Sequence, residues 1–522
     1  MSTQRGPDDP SLLRLADGIL IPPFPGTTAP RWLLTALEGG LAGVTLFSGN
    51  VADSDQLAEL TERLRSVTAE PLIAIDEEGG DVTRIAHRTG SPYPGNAALG
   101  AADDPELTRR VYRDIGADLA AAGVNVDLAP SVDVNTALDN PVIGTRAFGA
   151  EAELVSHHAA AAIAGLHAVG VAACAKHFPG HGSTREDSHD VLATVPGGLD
   201  VLWLRDLPPF KAAIAAGVKG VMTGHLRVPE LTGELPATLS HAALTGLLRN
   251  QLGFGGVIVT DALEMRGIQD ARGYRGMPEC AVLAVAAGAD LLCLGRDQDE
   301  QTYLAVRAAL ARAAANGVLP GDRLEEAAAR VGELRGWLAA APPRAMRADG
   351  DAGLVAARRA ARLFAVERSR TQPYRSDVRE ADAPAAVVSG GRPLVVQVEP
   401  PVNIAVGAVP WGLGPWLDDG DLLRFPMPGQ AGMVAADAAK TVLDQAAGRP
   451  IITVVRGAHR DAAARDLVRE VLAARPDAIV VEMGLPIWRP KAGLFLATYG
   501  AGYVNCQVAA EILGLHRRPN PA

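Results

Sequence analysis

The chain has 522 residues. Because a domain averages about 150 residues and a single α/β barrel takes about 250, we expect two large domains. Its 48% hydrophobic and 21% charged residues indicate a globular protein with sizeable cores and exclude a disordered polymer. Lys plus Arg 49 against Asp plus Glu 60 gives a net charge of −11, with no long run of either sign. Nucleic acid or an anionic membrane surface is therefore disfavoured as the main partner, since both require a basic field.

The cysteines and the N-terminus bear on the cellular compartment. Cys174, Cys280, Cys293 and Cys506 are far apart and form no CxxC pair. Neither a disulfide framework nor a thiolate metal cage is indicated. Residues 1–10 lack the apolar stretch of a secretory signal, and no window reaches the ~18 apolar residues of a membrane span. These features predict a cytoplasmic protein without a membrane span.

Eight short apolar runs occur in the first 300 residues, separated by longer segments of helical character. Apolar runs that are continuous rather than alternating are typical of a parallel sheet covered by helices. Eight such strand–helix units predict a (β/α)8 TIM-type barrel. Three of the predicted helices are 54–66, 105–121 and 151–168. The predicted strands are 18–22, 43–48, 71–76, 124–129, 171–176, 220–224, 256–261 and 289–295.

The last part of the chain predicts a second domain, an α/β/α sandwich. Residues 352–370 have helical character, and 371–384 are polar with little periodicity. Helices are expected over 461–474 and 506–513. Strand-like runs are 393–398, 451–455, 478–482 and 495–499. The predicted organisation is a barrel domain at 1–340, a linker at 341–390 and a sandwich domain at 391–522.

Polar residues cluster where the predicted barrel strands end. The carbonyl ends of barrel strands face the active-site mouth, so side chains from several strands are expected to share one pocket. The alternative is that strand ends meet solvent and polar residues belong there in any case. The residues are Asp76, Asp127, Lys176, His177, His225 and Asp261.

The densest group of functional side chains lies within residues 176–190. A metal site built from His177 and His181 with Asp187 or His189 is disfavoured, because Lys176 beside them would repel a cation. No metal and no other cofactor is predicted. Lys176 and His177 can instead donate hydrogen bonds to substrate hydroxyls.

Asp187 and His189 are close enough in the chain to pair in a turn. A carboxylate partner orients an imidazole and favours the protonated form that a general acid needs. The alternative is a surface ion pair without a catalytic role.

Other carboxylates and arginines near strand ends have open interpretations. Asp261 could cap a helix, bind metal or act as a nucleophile, and with a proton donor on another strand end it fits a retaining glycosidase. Asp76 and Arg84 offer an acceptor and a donor for a polyhydroxylated ligand, and Arg146 is either a substrate clamp or part of a loop ion pair. Alternatively, the acidic segment 77–81 forms a solvated turn.

The string Lys176-His-Phe-Pro-Gly-His-Gly182 followed by Asp187-Ser-His189 resembles family 3 glycoside hydrolases, and more narrowly their β-N-acetylglucosaminidase branch. Asp76-Glu-Glu-Gly-Gly80 and Val259-Thr-Asp261-Ala-Leu-Glu-Met265 belong to the same resemblance. It covers the barrel part of the chain, and two-domain members of the family also have a trailing α/β sandwich. One stretch departs from the family: its usual Asp-Gln-Glu-Gly-Gly-Arg is Asp-Glu-Glu-Gly-Gly-Asp over residues 76–81.

The resemblance implies roles for individual residues. Asp261 would be the nucleophile that forms a covalent glycosyl-enzyme, His189 the general acid/base and Asp187 its dyad partner. The positions that correspond to sugar-binding residues are Asp76, Arg84, Arg146, Lys176 and His177.

The function expected from the resemblance is hydrolysis of terminal GlcNAc, with retention, from muropeptides of peptidoglycan recycling or from chitin-type oligosaccharides. Phosphorolysis is an alternative, with phosphate as a second partner, because a neutral imidazole does not repel phosphate as a carboxylate would. Another β-glycosidase specificity, for a glucoside or a xyloside, is a further alternative. A non-catalytic sugar-binding protein is disfavoured, since Asp261 and His189 are both present.

Overall fold

A computed structural model describes residues 6–269, 276–340, 350–366, 376–380, 391–400, 404–426 and 434–515. No helix among these residues is long and apolar enough to cross a membrane. The chain divides into two compact units, and each is built from separate stretches of sequence. The barrel unit consists of Met1–Glu78, Pro105–Ile143 and Gly149–Gly350. The second unit consists of Gly79–Asp104, Gly144–Phe148 and Asp351–Ala522.

The barrel unit contains eight parallel strands, one for each predicted apolar run. Strands β2 to β7 form one continuous sheet in chain order, and β1 pairs with β8. Every residue of these strands is buried, which explains why their sequences are mostly apolar. The strands are Leu20–Ile21 (β1), Gly43–Leu46 (β2), Leu72–Ile75 (β3), Val126–Asp127 (β4), Ala172–Phe178 (β5), Gly220–Thr223 (β6), Val257–Thr260 (β7) and Leu292–Cys293 (β8).

Further hydrogen bonds join the two sheets into a closed ring. A parallel bridge between Val259 and Leu291 connects β7 to the start of β8. On the other side, the Thr45 backbone N–H donates to the Pro22 carbonyl at 3.3 Å, and its hydroxyl donates to the Ile21 carbonyl at 3.1 Å. The predicted (β/α)8 barrel is therefore confirmed. A short extra pair, Ala193–Thr194 with Leu226–Arg227, lies outside the ring.

Helices follow the barrel strands at positions set by their caps. Asp53 and Asp299 each accept a hydrogen bond from a backbone N–H in the first turn of the helix that follows, which satisfies a donor that the helix itself cannot pair. The helices of the barrel unit are Pro10–Asp17, Arg31–Gly39, Ser54–Arg65, Pro105–Ala121, Ala152–His167, Leu199–Arg205, Leu207–Ala215, Pro229–Thr232, Arg266–Gln269, Met277–Ala287, Glu300–Ala315 and Gly321–Ala339, the 3-10 turns Ser48–Asn50 and Ala237–Leu239, and the π-helix Ala242–Gln251.

The second unit is built on a seven-stranded sheet with helices on both faces. Its spatial order is β10-β9-β15-β14-β13-β11-β12, with β9 antiparallel to both of its neighbours and the other pairs parallel. The strands are Arg362–Val366 (β9), Ser376–Glu380 (β10), Leu394–Glu399 (β11), Leu422–Pro426 (β12), Ile451–Val455 (β13), Ile479–Glu482 (β14) and Leu494–Ala497 (β15). The helices are Asn96–Ala102, Ala352–Ala360, Ala435–Ala446, Ala462–Ala474 and Tyr503–Leu513, with 3-10 turns at Gly144–Arg146, Gly414–Trp416 and Ala458–Arg460.

Two hydrophobic clusters cover the two faces of this sheet. The neighbouring residues Val395 and Val396 belong to different clusters, because successive side chains of a strand point to opposite faces. Helices Ala435–Ala446 and Ala462–Ala474 pack in the cluster of Val396, and Tyr503–Leu513 packs in the other. The predicted α/β/α sandwich is confirmed.

One predicted helix in this region is partly wrong. The helix expected over 352–370 ends at Ala360, and Arg362–Val366 is strand β9 instead. Strands β10 and β12 were not expected, and β10 lies at the sheet edge, where it has one neighbour. Residues 341–349, 367–375 and 381–390 of the predicted linker lie outside the described residues, so the domain boundaries stay a prediction.

A fully buried carboxylate fastens the amino-terminal end of β8. Asp290 accepts hydrogen bonds from Arg249 at 2.5 Å, from Arg323 at 2.6 Å and from the Ile258 backbone N–H at 3.0 Å, and Arg330 lies 3.2 Å away. This end of the barrel is opposite the mouth formed by the carboxyl ends of the strands. Charged clusters at the amino-terminal end of a barrel serve stability.

We expect Asp290→Ala to lower the free energy of unfolding of the barrel by about 3–5 kcal/mol, because Arg249 loses its buried counter-charge while Arg323 and Arg330 retain the exposed Glu326. Calorimetric unfolding checks this. Glu106→Ala, which breaks an exposed ion pair with Arg109, is the control and should cost about 0–1 kcal/mol. Equal effects of the two substitutions would contradict the prediction.

Candidate active site

The end of β3 and the end of β5 are joined by a buried cation. Lys176 is 2% exposed, and its Nζ lies 2.6 Å from a carboxylate oxygen of Asp76 and 2.8 Å from one of Glu78. A buried charge is tolerated when opposite charges and hydrogen bonds surround it. The ammonium group is thereby fixed between two strand ends at the barrel mouth.

His177 follows Lys176 at an irregular point of β5. The pairing register between β5 and β6 shifts between Ala175 and Phe178, and such bulges re-aim side chains at barrel rims. The ring nitrogen Nδ1 of His177 lies 2.7 Å from Oδ2 of Asp133, which is fully buried. Although burial raises the pKa of Asp133, the nearby His177 and His181 bring it below its usual value. Asp133 is therefore an anion that fixes the tautomer and orientation of His177.

Asp187 and His189 form the expected pair. Oδ1 of Asp187 accepts the His189 backbone N–H at 2.9 Å and lies 2.6 Å from Nδ1 of the ring. Burial raises the pKa of Asp187, but the hydrogen bond and charge of His189 lower it overall. The two side chains are 17% and 22% exposed. This contact orients the imidazole and stabilises its protonated form.

Asp261 follows the last residue of β7. Its backbone N–H donates to the Thr223 carbonyl at 3.1 Å, and its Oδ1 accepts the Ala262 N–H at 2.8 Å. Burial raises the pKa of this carboxyl, but His177, His225 and His189 together bring it below its usual value. Asp261 is thus held as a carboxylate among imidazoles that come from three different segments.

Backbone hydrogen bonds attach the segment of the dyad to the segment after Asp261. The Arg266 N–H donates to the His189 carbonyl at 3.1 Å, and the Gly267 N–H donates to the Ser188 carbonyl at 3.2 Å. A Cβ on Gly267 would lie 2.5 Å from that Ser188 oxygen. The close approach requires glycine at this position.

Two of the predicted sugar-binding residues, Arg84 and Arg146, belong to the second unit. The Arg84 guanidinium donates to the Ala405 carbonyl at 2.9 Å. Arg146 is 7% exposed, and its carbonyl accepts the Asn96 side-chain amide at 2.7 Å. Their predicted role in sugar binding is not tested by these contacts and stays a prediction.

Comparison with known proteins assigns the chain to a family. A model described as the glycosyl hydrolase family 3 N-terminal domain matches residues 31–334. The beta-hexosaminidase of Stenotrophomonas maltophilia is 37% identical over 289 residues, which cover 53% of this chain and 84% of that protein. The chain belongs to glycosyl hydrolase family 3.

Two further relatives extend the comparison. Beta-hexosaminidase A of Pseudoalteromonas piscicida is 35% identical over 320 residues, which cover 56% of this chain and about half, 53%, of that protein. The solved structure of a glycoside hydrolase family 3 beta-N-acetylglucosaminidase from Paenibacillus sp. str. FPU-7 has a TM-score of 0.81 at 31% identity. The likeness covers 96% of both chains, so it includes the sandwich as well as the family 3 barrel.

The interpretation of segment 77–81 as a solvated acidic turn is wrong. Glu77, Glu78 and Asp81 are 4%, 2% and 6% exposed. Asp81, where the family usually has arginine, accepts the Ala501 N–H at 2.9 Å and pairs with Arg456 at 3.1 Å, both within the second unit. An acidic residue is accommodated there because donors surround it.

Sequence reasoning missed two carboxylates of the site, Asp133 and Glu264. Asp133 lies in a polar stretch after β4, and that position was the one signal that could have found it. Glu264 follows Asp261 by three residues and accepts the Arg296 backbone N–H at 2.7 Å. Its Oε2 is buried without a hydrogen-bond partner among the described residues, against Gly295, whose φ is +88°. Burial raises the pKa of Glu264 from 4.5 to about 7.

We expect Glu264→Gln to change the pH dependence of stability. The folded pKa of about 7 exceeds the ordinary value of 4.5, so the wild type loses stability as the pH rises through this window. The full loss corresponds to about 3 kcal/mol. Glutamine does not ionise, so the unfolding temperature of the variant relative to wild type should rise between pH 5 and pH 8.

The exposed Glu59 provides the matched control, because Glu59→Gln should give a nearly constant difference across the same pH range. A pH-independent difference for Glu264→Gln would show that Glu264 ionises normally.

Proposed function

We propose that this chain is a retaining exo-β-N-acetylglucosaminidase that works through a covalent glycosyl-enzyme. The main supporting observation is the arrangement around Asp261: a carboxylate whose pKa is held low by surrounding histidines, with the Asp187–His189 pair on the segment bound to the chain just after it. A nucleophilic carboxylate and a separate proton donor are what a retaining glycosidase requires. The names of the relatives, beta-hexosaminidase and beta-N-acetylglucosaminidase, support the choice of sugar.

In the first step, an Asp261 oxygen forms a bond to the anomeric carbon while the glycosidic C–O bond breaks. The Nε2–H of protonated His189 gives its proton to the departing oxygen, so the aglycone leaves as an alcohol. In the second step, neutral His189 takes a proton from water, whose oxygen displaces Asp261 from the anomeric carbon. Two inversions give net retention, and both side chains return to their starting protonation states.

The contacts of the barrel mouth suggest how the sugar is held. Asp76 and Lys176 form a charged pair, and the ring of His177 is held at Nδ1 by Asp133. Such groups suit the hydroxyls of a pyranose ring. We infer that the aglycone side accepts peptidoglycan fragments or chitin-type oligosaccharides in the cytoplasm.

We expect the enzyme to release GlcNAc, first as the β-anomer, from 4-nitrophenyl β-N-acetylglucosaminide. Proton NMR of the first minutes of reaction measures this, with and without 50 mM phosphate as the acceptor test. Formation of GlcNAc 1-phosphate in the sample with phosphate would show that the enzyme is a phosphorylase instead. A histidine acid/base permits phosphorolysis because neutral imidazole does not repel phosphate. Initial α-GlcNAc would refute retention.

The nucleophile can be identified directly. A 5-fluoro-N-acetylglucosaminyl fluoride should form a slowly hydrolysed ester on Asp261, because the fluorine destabilises the positively charged transition states of both steps. Peptide mass mapping locates the label, and Asp261→Asn should abolish it. Attachment at another residue would show that Asp261 is not the nucleophile.

A further inference from the structure

His181 belongs to the same motif as Lys176 and His177, but the proposed reaction gives it no part. It is 2% exposed, and both of its ring nitrogens contact hydroxyl groups. Nδ1 lies 2.6 Å from Oγ1 of Thr184, and Nε2 lies 2.9 Å from Oγ of Ser188. A side chain engaged at both nitrogens has a structural task rather than a place among metal ligands.

The hydrogen-bond network indicates the direction of each contact. The Thr184 hydroxyl lies 3.0 Å from the His181 carbonyl, to which it can donate. Its oxygen then accepts from Nδ1–H of His181, and Nε2 accepts the proton of the Ser188 hydroxyl. The ring therefore binds Ser188 as an acceptor in its neutral form.

Ser188 is the residue between the two members of the dyad. It is 1% exposed, whereas Asp187 and His189 on either side are partly exposed. Its side chain is thus buried, whereas the side chains of the dyad reach solvent. A hydrogen bond to Ser188 restrains both neighbours, because each is one peptide unit away.

The other end of His181 is anchored to the barrel. Its backbone N–H donates to Oδ1 of Asp133 at 2.7 Å, and the same carboxylate binds the ring of His177. The side-chain amide of Asn140 donates to the His181 carbonyl at 2.9 Å and to the Thr184 carbonyl at 3.1 Å. His181 is therefore a rigid attachment point.

We propose that the hydrogen bond between His181 and Ser188, here called the latch, positions the Asp187–His189 pair for proton transfer. His181 and Ser188 are positioning residues, because neither is assigned a contact with the reacting atoms. The inference rests on the proposed function, in which His189 is the acid/base. The backbone bonds from Arg266 and Gly267 hold the main chain of the segment, and the latch is its side-chain attachment to the β5 end.

Loss of the latch should affect one part of the reaction. A displaced acid slows departure of a poor leaving group, which needs protonation, whereas a nitrophenolate leaves without it. A misplacement of about 1 Å can cost about 100-fold in rate. The attack by Asp261 does not depend on Ser188 and should be unchanged.

The test compares Ser188→Ala with His181→Asn and His181→Gln in the full-length chain. Glutamine places its amide near the position of Nε2 and can still meet Ser188, whereas asparagine places it near Nδ1 and cannot. We expect Ser188→Ala and His181→Asn to lower kcat/KM for chitobiose by about 10- to 100-fold and for the 2,4-dinitrophenyl glycoside by less than about 3-fold. His181→Gln should recover most of the activity.

Three controls separate positioning from general damage. Ser156→Ala removes a hydroxyl that bonds the Ala152 carbonyl within a barrel helix, and it should leave both substrates unaffected. The double variant Ser188→Ala/His181→Asn should be no slower than the slower single variant, because both remove one contact. Unfolding temperatures monitor folding, and if His181→Asn unfolds, Ser188→Ala alone still decides the outcome.

Equal losses on both substrates, or additive losses in the double variant, would refute the latch. His189→Ala distinguishes this from failure of the proposed function. If His189→Ala shows the leaving-group dependence and Ser188→Ala does not, the latch alone is wrong. If His189→Ala does not show it either, the assignment of the acid/base is wrong as well.

Discussion

The buried carboxylate of Asp133 is the interaction on which the candidate site depends. It stays ionised without solvent because donors surround it: the ring of His177, the backbone N–H of His181 and the hydroxyl of Ser131. A buried anion is stable only while its donors remain in place. Asp133 therefore fixes the end of β5 through its hydrogen bonds to His177 and His181. The ring of His177, which Asp133 orients, in turn lowers the pKa of Asp261.

The barrel strands were predictable and the edge strands of the second sheet were not, because burial determines how apolar a strand must be. A strand buried on both faces is mostly apolar, as Val257–Thr260 is, so its sequence identifies it. An edge strand has one neighbour and need not be apolar, and Ser376–Glu380 is mostly polar. The sequence of strand Arg362–Val366 resembles helix because only Ala361 separates it from the helix Ala352–Ala360, and the alanines and arginines of that helix continue into Arg362.

The contacts of the site were predictable where the interacting residues are close together in the sequence. Asp187 and His189 are two residues apart, and the structure places their side chains in contact, although their catalytic roles stay proposals. The partners that were missed are distant in sequence: Asp133 lies 44 residues before His177. A single buried carboxylate such as Glu264 has no spacing signature at all. Its environment comes from Gly295 and Arg296, at the end of another strand.

The second unit is assembled from distant stretches of the sequence, and this affects the order of folding. Residues 79–104 leave the ribosome early, yet Arg84 and Asp81 form hydrogen bonds with Ala405 and Ala501, which come 321 and 420 residues later in the chain. This segment has to wait for nearly the whole chain before it can pack, and such long-range closure slows folding. Its buried residues, among them Tyr93 and Leu99, stay exposed in the meantime. Chaperone demand during synthesis should therefore concentrate on this early segment rather than on the barrel strands around it.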